Sequence, residues 1–227
     1  MKTLTIFILS FALILSTKSS NNFEDIFGDD YTNAQNFLAT QQAEFTKVCG
    51  TASEAKILKA VVFPELLRYS MFRNIFETKF LEVLYVKHGT EGADFSIGRF
   101  QMKPSFAETI ERHIKVFPNA AAFKYKATAK NEIRAERICR LSDTEWQIQY
   151  LNAFYQILEK RWGEEFPQSV NEQVLLLATA YNRGMLNTPT TLKKHYKLKA
   201  FPYGNSYLGE QYSYAEIALD YFKKSSN

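Results

Sequence analysis

The chain has 227 residues, of which 46% are hydrophobic and 15% aromatic, and its formal net charge is +4. This composition excludes a disordered chain and allows one domain with a substantial hydrophobic core. The positive charge is small and dispersed, so nucleic acid is not predicted as a partner.

The N-terminus has the three parts of a secretion signal. Lys2 precedes an apolar run from Leu4 to Leu15, and small residues follow it. We therefore predict that residues 1–19 are a signal peptide and that the mature protein is periplasmic or secreted. The run is shorter than the about 20 apolar residues of a membrane span. No stable membrane insertion is expected after cleavage, and an uncleaved anchor is the alternative.

Removal of Lys2 and Lys18 with the signal would leave 26 basic and 24 acidic side chains, a charge near +2. The next segment, residues 20–32, is polar and acidic, and we predict a flexible leader there. Residues 33–227 contain no internal repeat and no obvious linker. We predict that they form one domain and that the protein is a monomer.

Helix-start signals recur along this domain. In a capping box, a hydroxyl and a carboxylate three residues later each satisfy a backbone N–H of the first helical turn. Four such boxes each precede an apolar periodic stretch: Thr51–Glu54, Ser142–Glu145, Ser169–Glu172 and Ser213–Glu216. Together with the small number of Gly and Pro residues, they predict an all-α, mainly helical fold.

Apolar residues at helical spacing mark the predicted helices between these signals. They cover residues 33–48, 57–62, 73–86, 104–116, 146–162 and 174–182. Gly163 and Gly184 are predicted to end the last two. The segment 117–141 has no assignment. Cys49 and Cys139 form one disulfide or remain two free thiols, and both alternatives stay open.

Glu65 is the first candidate for chemistry. It follows Val61, Val62 and Phe63, so we place it at the end of an apolar helix, with Pro64 expected to kink that helix. Apolar surroundings raise the pKa of a glutamate by roughly two units and make it a usable general acid. The alternative is a solvated glutamate on the outer face of the helix.

Three later segments carry further polar candidates. Gly98 and Gln101 lie in a loop before a proline-started helix, and this loop could hold a sugar N-acetyl group. Tyr181 and Asn182 close the most apolar helix, where capping and core support are the alternative roles. Glu210 and Tyr214 lead into the last helix, and the alternative there is an ordinary helix start.

The order of these motifs, over about Ser53 to Tyr221, resembles the goose-type lysozymes and the soluble lytic transglycosylases. The likeness implies a lysozyme-like α-rich domain with a catalytic cleft, in which Glu65 is the catalytic acid. It also assigns substrate-binding roles, to Gly98, Phe100, Gln101, Tyr181, Asn182, Glu210 and Tyr214. The chain departs from the family at Leu66, where the family has Ser, and at Gly98–Gln101, where it has Gly-Leu-Met-Gln.

The resemblance implies cleavage of the β-1,4 bond between N-acetylmuramic acid and N-acetylglucosamine in peptidoglycan. Hydrolysis and anhydro-forming transglycosylation both remain open. Glu91 and Asp94 are candidates for positioning a water molecule, with solvated surface charges as the alternative. No cofactor or metal is predicted, because the three histidines lack ligand spacing. The rival functions are a non-catalytic wall-binding protein on the same fold and an enzyme that acts on chitin.

Overall fold

The computed structural model describes residues 22–72 and 78–225, and it is mainly helical. The predicted signal peptide, residues 1–19, lies outside the described residues. Within residues 22–72 and 78–225, no helix combines the length and the apolar character that crossing a membrane requires. The predicted mainly α-helical class is confirmed.

Eleven α-helices are described, with 3-10 turns at residues 89–91, 114–116, 118–123 and 163–165. The helices are α1 Phe23–Phe27, α2 Asp29–Thr40, α3 Gln42–Val48, α4 Ala52–Phe72, α5 Thr78–His88, α6 Pro104–His113, α7 Lys130–Ser142, α8 Thr144–Trp162, α9 Val170–Arg183, α10 Pro189–Lys193 and α11 Tyr214–Lys224. Two short antiparallel strands, β1 Lys199–Phe201 and β2 Tyr212–Ser213, pair just before α11.

Two of the four capping boxes cap their helices through the predicted hydroxyl. The Glu54 amide donates to the Thr51 hydroxyl at 3.1 Å, and the Glu216 amide donates to the Ser213 hydroxyl at 3.2 Å. These bonds satisfy amides that the first turns of α4 and α11 leave without a helical partner.

The other two boxes differ from the prediction. Asp143, one residue after Ser142, caps α8 by accepting a hydrogen bond from the Trp146 amide at 3.0 Å. Ser169 precedes α9 but makes no side-chain cap bond. Asp143 is the N-cap of α8 because its backbone is extended, as a capping residue requires. Its negative carboxylate also interacts favourably with the positive end of the helix dipole.

The predicted flexible leader is wrong for the described residues 22–32. Helix α1 and the start of α2 occupy this segment, and the Phe23 and Tyr31 side chains are buried. The Tyr31 ring meets Phe63 edge to face, with the ring centroids 4.7 Å apart. Two aromatic side chains with a place in the core outweigh the polar average composition of the segment.

The centre of the fold is formed by α4, α9 and α11, which pack against one another. Helix α2 covers α4 from outside, and α8 contacts α3, α4, α6 and α7. The buried residues from α1 to α11 belong to one hydrophobic cluster. This arrangement places the side chains of α4 and α9 that face each other at the middle of the molecule.

The unassigned segment 117–141 is a 3-10 turn followed by most of α7. Arg137 of α7 is buried and forms an ion pair with Glu111 of α6 at 2.6 Å and another with Glu108 at 3.1 Å. A buried guanidinium with two carboxylate partners fixes α7 against α6.

The two cysteines are both free thiols, so the disulfide alternative is not realised. Cys49 is buried and Cys139 is exposed. Burial raises the pKa of the Cys49 thiol to about 12, which makes it an unreactive core residue.

The burial of Tyr31 predicts a stability role for the segment that looked like a leader. Tyr31→Ala should lower the free energy of unfolding by about 3–5 kcal/mol, because it removes a fully buried aromatic ring from the α2–α4 contact. Thr32→Ala, at the exposed next position, is the matched control and should change it by less than about 0.5 kcal/mol. Denaturant unfolding measures both, and equal small effects would mean that the segment is loose after all.

Candidate active site

Glu65 lies inside helix α4, and the expectation that a helix ends there is wrong. The helix continues through Pro64 and Glu65 to Phe72. Pro64 supplies no amide for the carbonyl one turn earlier, but the helix is not interrupted. Because this part of α4 faces α9 and α11, the Glu65 side chain is only 4% exposed, and the alternative of a solvated outer glutamate is excluded.

The Glu65 carboxylate is paired with Arg68, one turn further along α4. Arg68 Nη1 lies 2.8 Å from both Glu65 Oε1 and Oε2. Burial raises the pKa of Glu65 above its usual value, while the Arg68 charge and hydrogen bonds act in the opposite direction. The carboxyl group therefore carries a larger desolvation cost than its single cationic partner offsets.

Two tyrosine hydroxyls lie close to Glu65. Tyr214 of α11 donates to the Val61 carbonyl oxygen at 3.0 Å, and the nearby hydroxyl lowers the pKa of the Glu65 carboxyl. Burial, and after it the charge of Glu65, raises the pKa of both Tyr181 and Tyr214 well above the usual value. Both tyrosines are therefore neutral hydroxyls near neutral pH, and because each donates its proton to a backbone carbonyl, each oxygen can still accept a hydrogen bond.

The segment from Ile97 to Met102 is a tight turn closed by two backbone hydrogen bonds, at 2.9 and 3.0 Å. Gly98 has a φ of 69°, and a Cβ there would lie 2.6 Å from the Leu141 carbonyl oxygen, so the turn requires glycine. Gln101 also has a positive φ, 51°, which is uncommon for a residue with a side chain. Its amide nitrogen Nε2 donates to the Gly98 carbonyl oxygen at 2.9 Å.

Gln147 of α8 holds this turn from beneath. Its Oε1 accepts a hydrogen bond from the Phe100 amide at 3.1 Å, and its Nε2 donates to the Ile97 carbonyl oxygen at 2.8 Å. From the other side, the Tyr181 hydroxyl donates to the Phe100 carbonyl oxygen at 2.7 Å. Helices α8 and α9 thus fix the backbone of the turn and determine where Gln101 lies.

These elements surround an open cavity of about 520 Å³. Five of the residues selected from the sequence line it: Glu65, Asp94, Gln101, Tyr181 and Asn182. Arg68, Lys103 and Arg183 add three cations to the wall. The cavity therefore brings together a buried carboxyl group, the side-chain amides of Gln101, Asn182 and Asn187, and an excess of positive charge.

The other selected residues have different positions. Phe100 is fully buried with its ring near Phe37 and Phe45, so it anchors the turn in the core and does not present its side chain to the cavity. Gly98 contributes its backbone to the turn, and Tyr214 lies behind Glu65 without lining the cavity. These placements correct the expectation of direct substrate contact for Phe100.

The structure does not bring Glu210 or Glu91 to this cavity. Glu210 is exposed in the connection between β1 and β2. It contacts Tyr212, and burial together with the Glu210 carboxylate raises the pKa of Tyr212. Glu91 lies in the 3-10 turn after α5 and is also exposed. Neither carboxylate is therefore placed to act at Glu65.

Asp94 does line the cavity, but its carboxylate has a structural task. Oδ1 accepts from the Ser105 amide at 3.0 Å, Oδ2 accepts from the Ser105 hydroxyl at 2.8 Å, and Lys103 Nζ lies at 3.9 Å. Asp94 thus places a negative charge at the first turn of α6. Its oxygens are committed to fixing the wall.

A second cavity, of about 510 Å³, lies between α6, the 118–123 turn and α7. It is similar in volume, but its buried ionisable groups, Glu111 and Arg137, satisfy each other, and it does not include Glu65. The chemistry therefore favours the cavity at Glu65 as the candidate site. Among residues 22–72 and 78–225, no group of His, Cys, Asp and Glu has a metal-binding arrangement.

Two residues of the site were missed in the sequence. Arg68 could have been found, because residues three apart on a helix face each other and a Glu–Arg pair at that spacing is a common contact. Gln147 could not, because its partners are about 50 positions away along the chain. A glutamine inside an amphipathic helix gives no local sign of a long-range backbone contact.

Comparison of the chain with protein-family models, with curated proteins and with solved structures gives no match.

The contacts of Gln147 generate the prediction for this site. Gln147→Leu should lower the free energy of unfolding by about 2–5 kcal/mol, because the Phe100 amide and the Ile97 carbonyl would each lose their buried partner. Gln149→Leu, at a partly exposed position of the same helix, is the matched control and should stay within about 0.5 kcal/mol of wild type. Thermal or urea unfolding measures both variants. Equal effects of the two changes would contradict the role of Gln147 in holding the turn.

Proposed function

We propose that this chain cleaves peptidoglycan at the β-1,4 bond between N-acetylmuramic acid and N-acetylglucosamine, with Glu65 as the general acid. The observation that carries the proposal is a carboxyl group that is almost completely buried yet lines an open cavity large enough for a ligand. An acid must hold its proton near neutral pH and must reach the reacting bond. Burial raises the pKa of Glu65 and so favours the first condition, and the place of Glu65 in the cavity wall meets the second.

The polar side chains around Glu65 fit a sugar substrate. Gln101 and Asn182 each offer one amide donor and one amide acceptor to the cavity, which matches the N-acetyl and hydroxyl groups of an amino sugar. The turn that carries Gln101 is held by Gln147 and Tyr181, so this contact is pre-organised. The order of these elements along the chain supports the same function through its likeness to goose-type lysozymes and lytic transglycosylases.

In the proposed reaction, Glu65 gives its proton to the glycosidic oxygen as positive charge develops on the sugar ring. The resulting carboxylate, next to that charge, then accepts a proton from the attacking group. A second carboxylate would act as a base in most glycosidases. Asp94 is the candidate in this cavity, but its hydrogen bonds to Ser105 favour a reaction in which the sugar's own hydroxyl attacks. This route leaves an anhydro end.

A non-catalytic wall-binding protein is the second candidate, and the Glu65–Arg68 pair favours it. A carboxylate with both oxygens on one guanidinium is also a common structural ion pair. In that case the cavity would bind glycan and Glu65 would only hold Arg68 in place. Cleavage of chitin is the third alternative, and chitin differs from peptidoglycan in lacking the lactyl group, which carries either a free carboxylate or a peptide.

The direct test is mass spectrometry of soluble fragments released from purified peptidoglycan. Wild type should release muramyl fragments, and Glu65→Gln should lower the rate by at least about 100-fold, because general acid catalysis contributes that much or more. Glu91→Gln, at an exposed carboxylate outside the cavity, is the matched control and should keep the wild-type rate. Chitin, incubated in parallel, should release no comparable amount of product.

The ends of the fragments distinguish the two reactions. Anhydro ends would establish transglycosylation, whereas reducing ends would establish hydrolysis and direct attention to Asp94. Unchanged activity of Glu65→Gln would remove Glu65 from the mechanism. Binding of wild type to peptidoglycan without any fragments would establish the non-catalytic alternative.

A further inference from the structure

Arg68 occupies both oxygens of the proposed acid with a single nitrogen. Nη1 lies 2.8 Å from Oε1 and from Oε2 of Glu65. The arginine side chain is 24% exposed, whereas that of the glutamate is 5% exposed, and both line the same cavity. Arg68 is therefore the member of the pair that a ligand in the cavity can reach.

The position of Arg68 leaves part of its hydrogen-bonding capacity unused. Its Nε–H is buried and has no acceptor among residues 22–72 and 78–225, although buried polar atoms in proteins nearly always have one. The guanidinium plane is held by the face of Phe201, with 5.0 Å between the guanidinium carbon and the ring centroid. A single carboxylate that accepted one hydrogen bond from Nε and one from the neighbouring Nη, with its two oxygens side by side, would satisfy the fork-shaped group better.

The present position of Arg68 opposes the proposed reaction. An acid donates a proton from one of its oxygens, and each Glu65 oxygen now accepts a hydrogen bond from Arg68. The described pair is therefore a resting arrangement with an ionised carboxylate. Removal of the guanidinium would favour a proton on Glu65, because a neighbouring cation stabilises the ionised form.

The other charged and titratable groups that face Glu65 do not supply this change. Tyr214 comes from α11, Tyr181 from α9 and Lys103 from the segment before α6. The two tyrosines stay neutral because their pKa values are raised well above the usual one. Lys103 has the smallest effect on Glu65 and lies near Asp94 instead. Arg68 is thus the group whose departure changes the charge next to Glu65.

We propose that Arg68 recognises a carboxylate carried by the substrate and exchanges Glu65 for it, so that Glu65 takes up a proton only when such a substrate is bound. The inference rests on the proposed function in so far as the ligand is a glycan in the Glu65 cavity. The chemistry of the ligand is an amino sugar with a free carboxylate substituent, which N-acetylmuramic acid has where its lactyl group carries no peptide and which N-acetylglucosamine lacks. Arg68 would then be a specificity-determining residue that also sets the protonation of the acid.

The test compares two ligands of equal size by titration calorimetry at about pH 6, in two buffers with different ionisation enthalpies. One is the disaccharide of N-acetylglucosamine and N-acetylmuramic acid, and the other is the disaccharide of two N-acetylglucosamine units. Wild type should bind the carboxylated ligand about tenfold more tightly than the neutral one. Its binding should take up protons, whereas binding of the neutral ligand should not.

Three variants separate the causes. Arg68→Gln should remove the preference for the carboxylated ligand, and Glu65→Gln should keep the preference but lose the proton uptake. Arg112→Gln, which replaces an exposed arginine of the second cavity, is the matched control and should behave as wild type. If Arg68→Gln does not fold, the ligand comparison on wild type and Glu65→Gln still decides.

Equal affinity for the two ligands, no binding of either, or proton uptake that persists in Glu65→Gln would each overturn the exchange. Cleavage of peptidoglycan without a carboxylate preference would reject the exchange and leave the proposed function standing. A carboxylate preference with proton uptake in a protein that releases no fragments would support the exchange and reject the catalytic function.

Discussion

The burial of one carboxyl group, Glu65, is the constraint on which the rest of the site depends. An ionised carboxylate inside a protein needs a partner, and leaving one without it costs about 3–5 kcal/mol. Keeping a proton on an ordinary glutamate at pH 7 costs about 3.7 kcal/mol, from about 2.7 pH units at 1.36 kcal/mol each. Because the two costs are similar, the position of Arg68 is able to decide whether Glu65 is charged or protonated.

The helices around Glu65 keep it buried and still leave one side open. Helices α9 and α11 cover α4, and their Tyr181 and Tyr214 bring hydroxyl groups to the carboxyl without adding charge. The turn before α6 forms the opposite wall, and Gln147 and Tyr181 hold its backbone at the same residue, Phe100. The Tyr181 hydroxyl therefore lies near Glu65 and also supports the turn that carries Gln101.

The helical framework could be predicted from the sequence where the signals were local. Gly163 and Gly184 end α8 and α9 at the expected residues, and Thr51 and Ser213 cap α4 and α11. The predictions failed where distant contacts decide. Phe23 and Tyr31 are buried and hold a polar stretch of the chain in two helices. The ring of Phe100 packs in the core beside Phe37 and Phe45. No pattern over a few residues reports such partners.

The candidate site shows the same division. The apolar neighbours of Glu65 indicated a buried acid but left a solvated outer position open, and the structure buries Glu65 in one cavity with Tyr181, Asn182 and Gln101. Arg68 changes the interpretation most, because a lone buried acid would simply remain protonated, whereas a paired one responds to what binds its partner. Glu210 has the expected spacing to Tyr214 but lies on the exposed β1–β2 connection. The spacing of Glu210 along the chain did not predict on which side of the molecule it lies.

The most direct measurement of this account is a pH titration of the Glu65 side-chain carboxyl carbon by NMR in the ligand-free protein, assigned by the signal that disappears in Glu65→Gln. The account predicts a midpoint above the value of about 4.3 for an ordinary glutamate, because desolvation outweighs Arg68. A midpoint at or below that value would contradict it. Glu65 would then be a permanently ionised partner of Arg68, and the cavity would have no acid.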